Sequence, residues 1–185
     1  MQTKNIYLLV GESGNGKTAV AEELEKRYGL TSIRSYTTRP KRSPDEAGHV
    51  FVSNEEFDKL DDLVAYTEFD KFRYGTTADQ IEQNSLYIID PAGVTYFKEH
   101  YLGNKHPYVI YLDTPMKERI LRMHSRGDTD TQIVQRVIND IDAFDNVLEF
   151  SDASIQNLDF EDCVTNCFRY ILLREVGNAE TSCSV

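Results

Sequence analysis

Nowhere does the sequence offer the ~20 consecutive apolar residues that a membrane-spanning helix requires. Its opening, MQTKNIYLLVGES, lacks the pattern of a secretion signal. No membrane partner is therefore expected. Cysteine is scarce, with three residues, Cys163, Cys167 and Cys183, odd in number and crowded near the C-terminus. Without a third and fourth clustered ligand no zinc site is expected, and a reduced, cytoplasmic setting is the simplest reading. Internal repeats and low-complexity segments are absent. Positive charge is in short supply: 20 Lys and Arg against 31 Asp and Glu give a net charge of −11, which argues against a nucleic-acid-binding surface. With 185 residues and 40% hydrophobic content, the chain is long enough for one domain with a sizeable core and a small inserted lobe.

Against that acidic background two basic clusters stand out. RSYTTRPKR gathers Arg34, Arg39, Lys41 and Arg42, and KERILRMHSRG gathers Arg119, Arg122 and Arg126. Charge counting alone leaves two readings open: solvated patches, or two places where a small anion is handled.

Continuous apolar runs at residues 6–10, 86–90 and 108–113, with helical segments between them, predict parallel strands buried on both faces. Residues 17–28 read as a helix ended by Gly29, with Val20, Leu24 and Tyr28 on one face. Ser53/Glu56, Thr77/Gln80 and Thr129/Gln132 have capping-box spacing, and Thr114-Pro115 reads as a cap followed by a first-turn proline. A last helix is expected from about Asp159, with Cys163, Val164, Cys167, Phe168 and Ile171 as its apolar stripe. Residues 33–76, with short β-like runs at 50–52 and 63–69, read as the inserted lobe, and the small polar residues 177–185 as a loose tail.

Between the first strand and the first helix lies GESGNGKT, residues 11–18. It satisfies G-x-x-x-x-G-K-[ST] in full, in the strand-then-helix context that the motif requires. Glycines aim successive N–H groups into a concave nest, and the helix adds the positive end of its dipole. Lys17 supplies a point charge for the β- and γ-phosphates, and Thr18 a hydroxyl for Mg²⁺. Asp90, ending LYIID, is a second candidate for holding water or Mg²⁺. DPAG followed by NKHP does not make a GTPase, because proline stands where the guanine-reading Asp should be.

These blocks, in order, resemble the guanylate kinase family of nucleoside monophosphate kinases from Ile6 to about Ile171. The resemblance rests on GESGNGKT, SYTTRPKRSPDEAGHVFVS, TEFDKFRYGTT, IIDPAG and RMHSRGDTDTQIVQRV. It implies a three-layer α/β fold of the P-loop type with a central parallel sheet. The core would span residues 1–32 and 77–176, with a helical lid at about 117–140 and a β-rich acceptor lobe at 33–76. It implies Mg²⁺-dependent phosphoryl transfer from ATP to a nucleoside monophosphate, GMP or dGMP first, by a monomer or homodimer. Gly11, Glu12, Ser13, Gly14, Asn15, Gly16, Lys17 and Thr18 would hold ATP, with Asn157 near the adenine. Arg39, Arg42 and Tyr74 would grip the acceptor phosphate, while Ser35, Glu68, Thr76 and Asp90 would read the base. Arg122, Arg126 and Arg136 would close over the transferring phosphoryl group. The segment GHVFV is shorter than the family's, and His49 falls closest to a family tyrosine that helps hold the acceptor phosphate. Another nucleoside monophosphate, a sugar phosphate, or a non-catalytic binding module of the same fold are the alternatives.

Overall fold

The structure is a computed structural model that describes residues 3–41, 44–46, 48–69 and 71–180. Its first strand, β1 (Asn5–Val10), is buried along its whole length. β6 (Leu86–Ile88), β7 (His106–Asp113) and β8 (Ala153–Gln156) join it in a parallel sheet of order β6-β1-β7-β8. Leu8 lies opposite Tyr87 on one side and Val109 on the other, so β1 is the inner strand of the pair that carries the loop.

The two-residue period of β1 divides its side chains between two cores. Tyr7 and Leu9 pack with Val20, Ala21 and Leu24 of α1 (Lys17–Tyr28) and with Cys163, Val164, Cys167 and Ile171 of α8 (Phe160–Glu180). Ile6, Leu8 and Val10 face the opposite way, onto Val94 and Phe97 of α4 (Pro91–His100). Val64 and Ala65 of the second sheet join this latter cluster, so the lobe shares a core with the main body. That sheet has the order β3-β2-β5-β4, from β2 (Tyr36–Thr37), β3 (Val50–Phe51), β4 (Leu63–Phe69) and β5 (Phe72–Thr77). The remaining helices are α2 (Asn54–Phe57), α3 (Ala78–Gln83), α5 (Met116–Ser125), α6 (Asp130–Ala143) and α7 (Val147–Phe150). Among the described residues, no helix is long and apolar enough to cross a membrane.

All three capping boxes form, at the starts of α2, α3 and α6, and Gly29 closes α1 in the left-handed conformation. Three expectations need correction. Thr114 does not cap α5. Pro115 occupies that position, and the Thr114 hydroxyl reaches the Asn15 carbonyl at 3.5 Å instead. The strand expected to run to Asp90 stops at Ile88, because Asp90 turns its carboxylate onto the Gly93 amide at 2.6 Å to cap α4, with Pro91 in the first turn. The last helix continues to Glu180, into the segment 177–185 expected to be a loose tail. Residues 181–185, Cys183 among them, lie outside the described residues.

Burial sets the expected stability pattern. Leu24, at 0% exposure between α1 and the sheet, should cost about 2–5 kcal/mol on replacement by alanine. Leu173→Ala, at 65% exposure on α8, should stay within about 0.5 kcal/mol in the same urea titration.

Candidate functional site

A buried side chain of its own ties the glycine-rich loop between β1 and α1 to the sheet. Asn15 is 0% exposed and donates through Nδ2 to the Leu112 carbonyl at 2.8 Å, tying the loop to β7. Room for that amide exists only because residue 11 is glycine, where an added Cβ would sit 1.5 Å from Asn15 Nδ2. Gly16 enters α1 at φ 88, a left-handed conformation that favours glycine, and no side chain caps the helix behind it. The first-turn amides and the positive end of α1 therefore face the loop's concavity, as an anion site requires.

Lys17 folds over this concavity. Its ammonium donates to the carbonyls of Gly11 and Glu12, the second at 3.2 Å, and lies 3.4 Å from Asn15 Oδ1. Burial pulls its pKa down to about 8, against the opposing pull of the Asp140 and Glu12 carboxylates. Thr18 is exposed in the first turn of α1.

Arg122 of α5, Arg126 just after it and Arg136 of α6 line a recess beside residues 13–19 of the loop. Arg122 is docked, donating to the Asn157 carbonyl at 2.6 Å and to the Asn15 carbonyl at 3.5 Å. Asn157 donates from Nδ2 to the same Asn15 carbonyl at 2.7 Å. Arg126 and Arg136 converge on Asp128, at 2.5 Å and 3.7 Å. Behind the loop, Glu12 and Ser13 turn inward. Glu12 accepts from the Tyr111 hydroxyl at 3.0 Å and lies 3.6 Å from Arg119, while Ser13 is bound by Asp140.

A cleft of about 340 Å³ opens from the loop toward the lobe. Lys17, Ser35, His49, Thr67, Tyr74 and Asp90 are on its walls. Ser35 Oγ and His49 Nδ1 share a hydrogen bond of 3.0 Å, and the His49 ring meets Tyr74 edge-on at 5.6 Å. Arg39 lies beside Tyr74, but its guanidinium fork is engaged by Glu46 at 2.6 and 3.3 Å, which holds its pKa above the ordinary value.

The structure brings together Lys17, Ser35, His49, Tyr74 and Asp90, and separately Lys17, Thr18 and the lid arginines. It does not bring Arg39, Glu68 or Thr76 to the walls of the cleft. Glu68 is exposed and accepts the Tyr66 hydroxyl, and the buried Thr76 donates to the Tyr87 hydroxyl at 2.9 Å. Arg42 lies outside the described residues. The sequence reading missed Asp140 and the part played by Arg119. The available signal was Asp140 standing one helical turn after Arg136, on the same face of α6.

Comparison with known proteins decides among folds that carry such a loop. The guanylate kinase family model matches residues 3–172. The chain belongs to the guanylate kinase family. A guanylate kinase of Legionella pneumophila (strain Paris) is 31% identical over 171 residues, covering 85% of this chain and 80% of that protein. A second, from Thermobifida fusca (strain YX), is 30% identical over 148 residues, with 73% and 74% covered. Among solved structures, the guanylate kinase of Anaplasma phagocytophilum superposes with a TM-score of 0.67 at 22% identity, over 94% of this chain and 87% of that one. A gluconokinase from Sinorhizobium meliloti 1021 gives 0.56 at 11% identity over 98% and 99%, a likeness of fold alone. The parallel sheet with flanking helices is thus the P-loop fold of guanylate kinases.

Because the guanylate kinase loop depends on the space at residue 11, Gly11→Ala should expel Asn15 from the Leu112 carbonyl. An unsatisfied buried amide costs about 1–3 kcal/mol, so the thermal midpoint should fall by roughly 3–10 °C in differential scanning calorimetry.

Proposed function

We propose that this chain transfers the γ-phosphoryl group of ATP to GMP or dGMP. The observation that carries the proposal is one cleft joining two anion-handling ends: the Lys17 loop at one, and the Ser35–His49 pair with Tyr74 at the other. The guanylate kinase relatives, similar over most of the chain, support guanine as the acceptor base.

The reaction needs no covalent intermediate. An acceptor phosphate oxygen attacks the γ-phosphorus in line, and the protein supplies position, charge and exclusion of water. The loop amides and the α1 dipole hold the β- and γ-phosphates, and Lys17 exchanges its carbonyl partners for phosphate oxygens. Arg122, already docked, fixes one side of the recess. Arg126 and Arg136 leave Asp128 to cover charge that builds on the transferring group. At the other end, Tyr74 and the Arg39 fork take the acceptor phosphate with His49 beside them. Ser35, Thr67 and Asp90 face the nucleoside.

The oxygens in this region suit Mg²⁺, which prefers a few hard ligands and otherwise keeps water and substrate phosphates. The Thr18 hydroxyl and the Asp90 carboxylate would hold it; Asp90 already uses Oδ1 for its cap, which fixes its orientation. Bound there, the ion would neutralise phosphate charge.

A coupled ATP-consumption assay across GMP, dGMP, AMP, CMP, UMP and sugar phosphates tests the reading. Turnover is expected with the guanine nucleotides, and none with any acceptor would leave a binding module of the same fold. Lys17→Ala should lower kcat/KM by roughly 10²–10³-fold, the scale of removing a charge stabiliser from such a site. Glu68→Gln should leave the GMP KM within about twofold, since Glu68 stands outside the cleft; a tenfold rise would return it to the base site, about 1.4 kcal/mol of binding.

The depressed Lys17 pKa gives a pH prediction. Free protein loses the Lys17 charge as pH rises through about 8, whereas bound triphosphate favours the charged form. ATP affinity measured calorimetrically should therefore be flat below that pH and weaken above it. Lys17→Met should remove the dependence.

A further inference from the structure

A buried charge cluster lies behind the glycine-rich loop. Arg119 of α5 is 5% exposed and pairs with Asp140 of α6 at 3.2 Å and with Glu12 of the loop at 3.6 Å. Its guanidinium also reaches the Ser13 carbonyl at 3.4 Å. Asp140 accepts the Ser13 backbone N–H at 2.9 Å on Oδ2, and its Oδ1 lies 3.3 Å from the Ser13 hydroxyl. Glu12 is steadied from behind by the Tyr111 hydroxyl of β7. Helices α5 and α6, the loop and a central strand thus meet at one ion cluster, with Asp140 at the wall of the cleft.

Burying such a pair is a poor way to gain stability, because desolvation offsets most of the attraction between the charges, and apolar residues of similar volume often do as well. What the cluster adds is direction. Ser13 is gripped at its N–H, its C=O and its hydroxyl, so the first half of the loop cannot rotate its peptides without breaking charge-assisted bonds. Gly14, directly after Ser13, runs at φ 81 with little room, an added Cβ falling 2.6 Å from the Arg119 carbonyl. Lys17 already folds onto the carbonyls of Gly11 and Glu12, the direction in which an unbraced loop would close on itself.

We infer that Asp140, acting through Arg119 and Ser13, is a positioning residue that braces the phosphate loop against the lid and keeps its amides set for ATP. The inference rests on the phosphoryl-transfer reading above. It bears on ATP first: Asp140 and Ser13 line the same cleft as Ser35, His49 and Tyr74, but the bonds they make run to the loop and to Arg119 of α5.

The test compares Asp140→Ala, Asp140→Asn and the paired replacement Arg119→Leu with Asp140→Leu. For each, ATP–Mg²⁺ binding is measured by titration calorimetry, KM for both substrates by coupled assay, and the thermal midpoint by calorimetry. Asp140→Ala should weaken ATP binding about tenfold and raise the ATP KM in parallel, with the GMP KM within about twofold. Asp140→Asn, which keeps an oxygen for the Ser13 amide, should recover part of the loss. With Glu12→Gln added so that no buried carboxylate is left without its cation, the paired apolar variant should keep a midpoint close to wild type and still show the ATP defect, which separates positioning from stability. ATP binding within twofold of wild type in all variants would overturn the inference. So would tighter ATP binding in Asp140→Ala, since the carboxylate would then be competing with phosphate for the loop. Equal rises in both KM values would reduce the cluster to a general structural element and overturn it too. Wild-type protein that binds no ATP–Mg²⁺ would instead remove the phosphoryl-transfer reading, and this inference with it.

Discussion

The site hangs on a buried carboxamide. Asn15 is packed out of solvent between the glycine-rich loop and β7, and its amide takes the Leu112 carbonyl near the end of that strand. Its own backbone carbonyl is where the Asn157 amide, the Arg122 guanidinium and the Thr114 hydroxyl converge. One residue therefore sets the loop against the sheet, the lid against the loop, and the segment after β8 against both. The two strands that frame it, β1 and β7, are neighbours across six register pairs, and Leu112 itself pairs onward to Ile155 of β8, so the anchor rests on the main sheet.

Charge is arranged so that an acidic chain can still present cations. The arginines of the site are not left to solvent. Arg126 and Arg136 share Asp128, Arg119 has Asp140 and Glu12, Arg39 has Glu46, and Arg122 rests on main-chain carbonyls. Each fork is thereby held in one orientation before any phosphate arrives, which reduces the ordering cost of binding. The net charge of −11 says little about the field inside the cleft, which these local pairs determine.

Much of this was legible in the residues. The apolar runs gave β1 and β7, the three Ser/Thr-to-Glu/Gln spacings marked helix starts, and the glycine-rich loop announced both its shape and its chemistry. What escaped were contacts that depend on tertiary register. Glu68 is the clearest case. Strand β4 is irregular between Leu63 and Ala65, so consecutive residues Val64 and Ala65 are both buried and the simple alternation is lost; Ala65, Tyr66 and Thr67 line the cleft, and Glu68 falls outside. The Thr76 hydroxyl meets Tyr87 from the other sheet, a contact that no sequence motif marks. Asp140 escaped because a carboxylate on an amphipathic helix reads as solvated until the neighbouring helix supplies a buried arginine.

The Arg39–Glu46 pair has a consequence for turnover. A tethered carboxylate seven residues away acts on the guanidinium at an effective concentration in the millimolar range, so any incoming phosphate must outcompete an internal rival. Weakly held anions such as inorganic phosphate lose that contest. A ligand that also engages the opposite wall would win it, and the same carboxylate would reclaim the arginine once that ligand left.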